Sequence, residues 1–73
     1  MKRVVIFKTN VNKYREAQQI VMTLLQLFSS YKVNFDLDDE ERILRIESTQ
    51  TDIETKGIIK QMLDWGYQCE HIK

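Results

Sequence analysis

Cys69 and His71, the one cysteine and the one histidine of this 73-residue chain, stand two residues apart near its C-terminal end. In an extended segment, side chains at i and i+2 share a face about 7 Å apart, so a thiol and an imidazole there would face the same ion. A zinc centre needs three or four ligands, and the chain holds no second Cys or His to complete one. Met1, Met22 and Met62 are scattered and do not add up to a soft-metal cluster. The expectation is therefore no metal and no cofactor. Cys69 reads as a small thiol in the core and His71 as a histidine near the chain end. A metal at Cys69 and His71 would need a second copy of the chain to double the ligand set.

Other chemistry is equally thin. The run Asp38-Asp39-Glu40-Glu41 lacks the alternate carboxylates and the glycine of a calcium loop, so it reads as a solvated turn. No serine, cysteine or lysine has an obvious base partner, and no glycine-rich phosphate loop is present. Asn10-Val11-Asn12 precedes a helical pattern and offers the weak anion affinity of any helix start. No matching arginine–asparagine phosphate cradle of the acylphosphatase kind is visible. The chain is not expected to be an enzyme.

Composition narrows the partners. Eleven basic and eleven acidic residues give zero net charge, without the basic excess that marks a binder of nucleic acid or anionic membrane. A single cysteine fits a reducing compartment. No apolar run approaches the ~18 residues needed to span a bilayer. The start Met1-Lys2-Arg3 followed by Val4–Phe7 is too short for a signal-peptide core, so the expected location is the cytoplasm. There is no proline and there are two glycines in a chain 42% apolar, so the expectation is one domain folded over residues 1–73.

These residues must be positioned by elements that the patterning defines. Val4-Val5-Ile6-Phe7 is a β-branched run that predicts a strand. Ala17, Ile20, Val21, Leu24, Leu25 and Phe28 fall at helical spacing and predict an amphipathic helix from Lys13 to about Phe28, with Asn12 as its cap. Tyr31, Val33, Phe35 and Leu37 alternate with polar residues, as do the residues of Arg42–Glu47, and the acidic link makes these a hairpin. Thr51 and Glu54 have the spacing of a capping box ahead of a second helix carrying Ile58, Ile59, Met62, Leu63 and Trp65. Gly66 stands where a left-handed terminator belongs, and Tyr67–Ile72 predicts a last strand. The order βαββαβ predicts an α+β, ferredoxin-like sandwich: a four-stranded antiparallel sheet with two helices on one face.

With these elements in place the chain resembles the heavy-metal-associated domain family, the βαββαβ modules of copper chaperones and metal-transporting ATPases. The likeness runs over essentially the whole length. It rests on the element lengths, on Val33-Asn34-Phe35-Asp36-Leu37, on Ile43–Ile46, and on Leu63-Asp64-Trp65-Gly66-Tyr67. The resemblance implies a metal loop of the form Met-x-Cys-x-x-Cys between the first strand and the first helix. One register puts the methionine at Val11 and the thiolates at Lys13 and Glu16; the other puts the thiolates at Asn10 and Lys13. Neither supplies a sulfur ligand, and soft metals select sulfur.

The fold therefore leads to a non-catalytic interaction or accessory module that keeps the scaffold without the metal site. Its first expected surface is the loop Thr9, Asn10, Val11, Asn12 and Lys13. Its second is the open sheet face, where Val4, Ile6 and Ile43 would sit, joined by Ile72 and flanked by Arg45, Glu47 and Glu70. A homodimer or a protein partner through that face is the expected assembly, and pairing through the second strand's edge is another route. The alternatives are a divergent metal carrier using Cys69 and His71, and a small-molecule sensor of the ACT type. An RNA-binding role is not expected, because the third strand carries none of the aromatics on which bases stack.

Overall fold

A computed structural model describes residues 2–72, leaving Met1 and Lys73 outside the described residues. The elements are β1 (Arg3–Thr9), α1 (Tyr14–Leu27), β2 (Tyr31–Asp36), β3 (Ile43–Ser48), α2 (Thr55–Asp64) and β4 (Cys69–Ile72). The strands form one antiparallel sheet in the order β2-β3-β1-β4, the ferredoxin-like arrangement. Its Cα radius of gyration is 11.2 Å, matching the ~11 Å expected of a compact single chain of this length. No helix among the described residues is long and apolar enough to cross a membrane.

The register explains why alternate residues part company. Val5 pairs with Ile46, which pairs with Val33; Phe7 pairs with Leu44, which pairs with Phe35. These point to the helices and join Ala17, Ile20 and Leu24 of α1 and Ile58 and Met62 of α2 in one core. Each large apolar side chain taken fully from water there stabilises the fold by roughly 1.5–3 kcal/mol. The intervening residues Val4, Ile6, Arg45, Glu47, Lys32, Asn34 and Asp36 point the other way, because side chains alternate across a strand.

Both helix starts differ from the sequence expectation. Asn12 does not cap α1: the cap position is Lys13, with no side-chain cap bond. The hydrogen bond from the Ala17 N–H to the Lys13 carbonyl, 3.0 Å, opens the helix. The capping box at Thr51 and Glu54 does not form either, since α2 begins at Thr55 and Glu54 itself stands at the cap. A local contact and a long-range one replace it. The Thr51 N–H donates to Ser48 Oγ at 3.2 Å, while the Tyr31 hydroxyl accepts the Glu54 N–H at 2.9 Å and donates to the Asp52 carbonyl at 3.0 Å. A buried tyrosine on β2 thus fixes the start of a helix more than twenty residues later.

The end of α2 follows the sequence. Gly66 has φ of +92°, its N–H donates to the Leu63 carbonyl at 2.9 Å, and the Tyr67 N–H donates to the Met62 carbonyl at 3.0 Å. This 6→1 and 5→2 pair is a Schellman terminator, whose left-handed residue favours glycine. It turns the chain into β4, which is shorter than the expected Tyr67–Ile72.

Candidate functional site

The loop between β1 and α1 is held from within. Thr9 is buried; its N–H donates to the Glu41 carbonyl at 3.1 Å, its hydroxyl donates to the Arg42 carbonyl at 2.6 Å and accepts the Val11 N–H at 3.2 Å. Val11 is fully buried in the core. Asn10 accepts the Gln68 N–H on its side-chain oxygen at 2.8 Å, tying the loop to the turn before β4. Of the five loop residues, Asn10, Asn12 and Lys13 are exposed. The side chains of Thr9 and Asn10 are used in fastening the β2–β3 hairpin and β4 to the segment before α1.

Cys69 and His71 share the helix-facing side of β4, opposite Thr9 and Phe7 respectively. Cys69 is half-buried against the core, and burial pushes its thiol up to about 12, which keeps it protonated and a poor metal ligand at neutral pH. The His71 ring lies 5.7 Å from the Phe7 ring. No cluster of three or more His, Cys, Asp or Glu residues able to hold an ion occurs among the described residues. In the β2–β3 link the carboxylates shape the turn: Asp36 Oδ1 accepts the Asp38 N–H at 3.2 Å and Asp39 Oδ1 accepts the Glu41 N–H at 2.8 Å. Arg42 closes it with φ of +51°, donating from Nη1 to the Leu37 carbonyl at 2.7 Å.

The open sheet face holds Val4, Ile6, Ile43 and Ile72, where the alternation puts them, but charges are threaded between them. Cross-strand rows read Lys32–Glu47–Val4, then Asn34–Arg45–Ile6–Ile72, then Asp36–Ile43–Lys8–Glu70. Ile6, Ile43 and Ile72 are half-buried by these neighbours, and Val4 is 41% exposed. Lys2 Nζ meets Glu47 Oε1 at 2.8 Å and Arg45 Nε approaches Glu47 Oε2 at 3.8 Å, leaving Glu47 only 15% of its side-chain surface in solvent. The hydrogen bond from Lys2, outweighing the opposing desolvation, holds the Glu47 carboxyl below its ordinary value; Arg45 and Lys32 add to the effect.

Of the exposed large apolar side chains outside the open face, Leu27 and Leu63 stand singly, whereas three share one side of α1. Tyr14 is 72% exposed, Met22 64% and Leu25 37%, and with Gln18 and Val21 they fall at i, i+4, i+7, i+8 and i+11 of α1. At ~100° per residue these positions form a second stripe, rotated from the core stripe of Ala17, Ile20 and Leu24 toward β2. The sequence carried this signal at Tyr14 and Met22, which interrupt the otherwise polar outer side of the helix. The stripe borders a groove of about 410 Å³ whose walls include Tyr14, Val21 and Met22 of α1 and Val33, Phe35 and Leu37 on the β2 side. β2 is an edge strand, and outside the β2–β3 ladder no backbone hydrogen bond of Lys32–Asp36 to another backbone group occurs among the described residues.

A smaller groove of about 200 Å³ lies between α1 and the turn before β4, lined by Glu16, Gln19, Ile20, Thr23, Trp65 and Tyr67. Burial, reinforced by the Glu16 carboxylate, raises the Tyr67 hydroxyl above its ordinary value; the groove brings together no nucleophile and base. Comparison with protein-family models, with curated proteins and with solved structures finds no match to this chain.

Proposed function

We propose that this chain is a non-catalytic assembly module, a βαββαβ scaffold resembling heavy-metal-associated domains that works by binding protein surface. The observation that carries the reading is the pairing of an apolar helix stripe, Tyr14, Met22 and Leu25, with an open strand edge beside it. Exposed apolar groups next to unpaired strand backbone are what a protein partner covers. The side chains able to do chemistry support the same reading from the other direction. Cys69 is shielded, and Thr9 and Asn10 are committed to internal hydrogen bonds. In one register of the resemblance Val11 takes the place of the metal loop's methionine, and it is fully buried, as a residue plugging the loop into the core should be. The thiolate positions fall on Lys13 and Glu16, or on Asn10 and Lys13, and provide amine, carboxylate or amide instead of sulfur.

The test is a titration of reduced protein with copper(I) and with zinc against a competing chelator, read by native mass spectrometry and thermal shift. The expected result is no stoichiometric metal in the native protein or in Cys69→Ser, and no ligand-linked rise in melting temperature. A one-to-one or two-to-one metal complex that survives the chelator and disappears in Cys69→Ser would overturn the reading in favour of a divergent metal carrier.

A further inference from the structure

We infer that the occupant of the α1–β2 side is a second copy of this chain, paired antiparallel through β2 about Asn34 so that two sheets join into one of eight strands. The inference rests on the assembly-module reading and names its partner. β2 is the outer strand on its side of the sheet, and its open-face side chains are Lys32, Asn34 and Asp36, all exposed. That series carries positive charge at one end, none in the middle and negative charge at the other. Turning it end over end, as an antiparallel copy does, puts each charge opposite its complement.

The register is selective. A two-fold axis perpendicular to the sheet keeps both helix layers on the same side, and within β2 it can centre on Val33, Asn34 or Phe35. Centring on Val33 sets Lys32 against Asn34 of the second copy, and centring on Phe35 sets Asn34 against Asp36. Centring on Asn34 sets Lys32 against Asp36 of the second copy, twice by symmetry, with the two Asn34 amides facing each other. Directly opposed unlike charges favour a strand pair and like charges disfavour it. On the helix side the same register sets Val33 against Phe35 of the second copy, so the apolar row continues across the seam. The two α1 helices then run antiparallel above it, and the stripe of Tyr14, Met22 and Leu25, with the groove it borders, faces its own counterpart.

The open face offers a poorer fit to a second copy. Stacking it face to face would take the Lys2–Glu47–Arg45 group out of water, and removing charges from solvent costs more than their contacts return unless each is newly matched.

The test is sedimentation equilibrium with native mass spectrometry over about 1 μM to about 1 mM, on the full chain and on charge variants. The unmodified chain should reach the dimer mass at the upper end. Lys32→Glu and Asp36→Lys should each weaken the dimer by roughly tenfold or more, since two attractive pairs become repulsive. Mixing these two variants one to one should restore it, because every pair across the seam is then again unlike, and the double variant Lys32→Glu/Asp36→Lys should restore it alone. Circular dichroism checks that each variant folds. Met22→Glu, at an exposed helix position, weakens the dimer without altering the sheet and serves if Lys32→Glu fails to fold beside Glu47. A monomer at every concentration overturns the inference and leaves the assembly reading standing, whereas a stoichiometric metal overturns that reading. A dimer indifferent to Lys32→Glu, Asp36→Lys and Met22→Glu but broken by Ile6→Asp puts the interface on the open face and also overturns it.

Discussion

Replacing Tyr31 by phenylalanine removes one oxygen atom from the protein and should cost it up to about 2 kcal/mol. The ring is retained, together with its near-parallel stacking on Phe28 at 5.3 Å and 9°. What is lost is the hydroxyl that accepts the Glu54 N–H at 2.9 Å and donates to the Asp52 carbonyl at 3.0 Å. A net contribution of about 1 kcal/mol per hydrogen bond gives the total. Tyr31 is 6% exposed but Asp52 and Glu54 are exposed and both bonds part-buried, so water can take over part of the hydroxyl's role and the sum is an upper figure. A chain of 73 residues has a total stability of only ~4–11 kcal/mol at the usual value per residue. The loss should therefore appear as a fall in melting temperature of up to roughly 8–15 °C.

Urea unfolding followed by circular dichroism measures the change, with an unaltered m-value to show that the unfolded reference is the same. Amide exchange locates it: the Glu54 N–H and the first turn of α2 should lose protection ahead of β1 and β3. The control is Thr51→Ala. Were Thr51 the helix cap, its loss would cost about 1 kcal/mol and Tyr31→Phe would cost little. The structure demands the reverse order, because the Thr51 hydroxyl meets only Ser48 Oγ, at 3.3 Å. A Tyr31→Phe protein within about 0.5 kcal/mol of the original, with Glu54 exchange unchanged, would refute the hydroxyl as anchor of α2.

The two glycines should respond to alanine with opposite signs. At Gly57 an added Cβ meets Glu54 Cβ at 3.6 Å and Phe28 Cζ at 3.9 Å, ordinary contacts in a helix, so Gly57→Ala should stabilise by about 0.5–1 kcal/mol. At Gly66 nothing lies within 4 Å, but φ is +92°, so Gly66→Ala should destabilise by about 1–2 kcal/mol through backbone strain alone; equal signs in thermal unfolding would contradict this. The Cys69 thiol, raised to about 12 by burial against an unfolded value of about 8.5, holds its proton more tightly in the folded protein. The stability this supplies is complete below about pH 8.5 and is lost as pH rises through about 12. Urea midpoints should decline between pH 8.5 and about 11 and Cys69→Ala should flatten the decline; equal slopes would remove the thiol as its cause.

Strand faces and the α2 terminator were legible because they depend on local alternation and on one glycine. Tyr31, Val33 and Phe35 alternate with Lys32, Asn34 and Asp36 in the sequence as they do across the sheet. The helix starts were not legible, for a physical reason. Capping rules weigh residues within four positions of each other, whereas Glu54 is served by a hydroxyl 23 residues away and α1 has Lys13 at its cap position with no cap bond from Asn12. Cys69 and His71 share one strand face, as their i, i+2 spacing predicts, with Cys69 half-buried and His71 exposed, but only the register showed that Cys69 opposes Thr9 and His71 opposes Phe7. The open face, expected as an apolar patch, holds the expected residues with Arg45, Glu47 and Lys8 running between them. Single-strand alternation says which side a residue takes and nothing about what stands beside it.

The same limit governs β2. Read along one chain, Lys32, Asn34 and Asp36 look like the charges that keep an edge strand from sticking to others. Their order changes that meaning. Two lysines, or two aspartates, at those positions would repel any antiparallel copy centred on Asn34, whereas one of each, equidistant from Asn34, admits it. A parallel neighbour, reaching the one open edge of β2, would carry its helix layer to the opposite side of the sheet. An antiparallel two-fold closes after two copies, because each edge β2 is then used and the other outer strand, β4, is four residues long. The charge order thus favours the antiparallel pairing centred on Asn34, and the apolar stripe on α1 adds area only to that pairing, since only there do both helix layers meet across the seam.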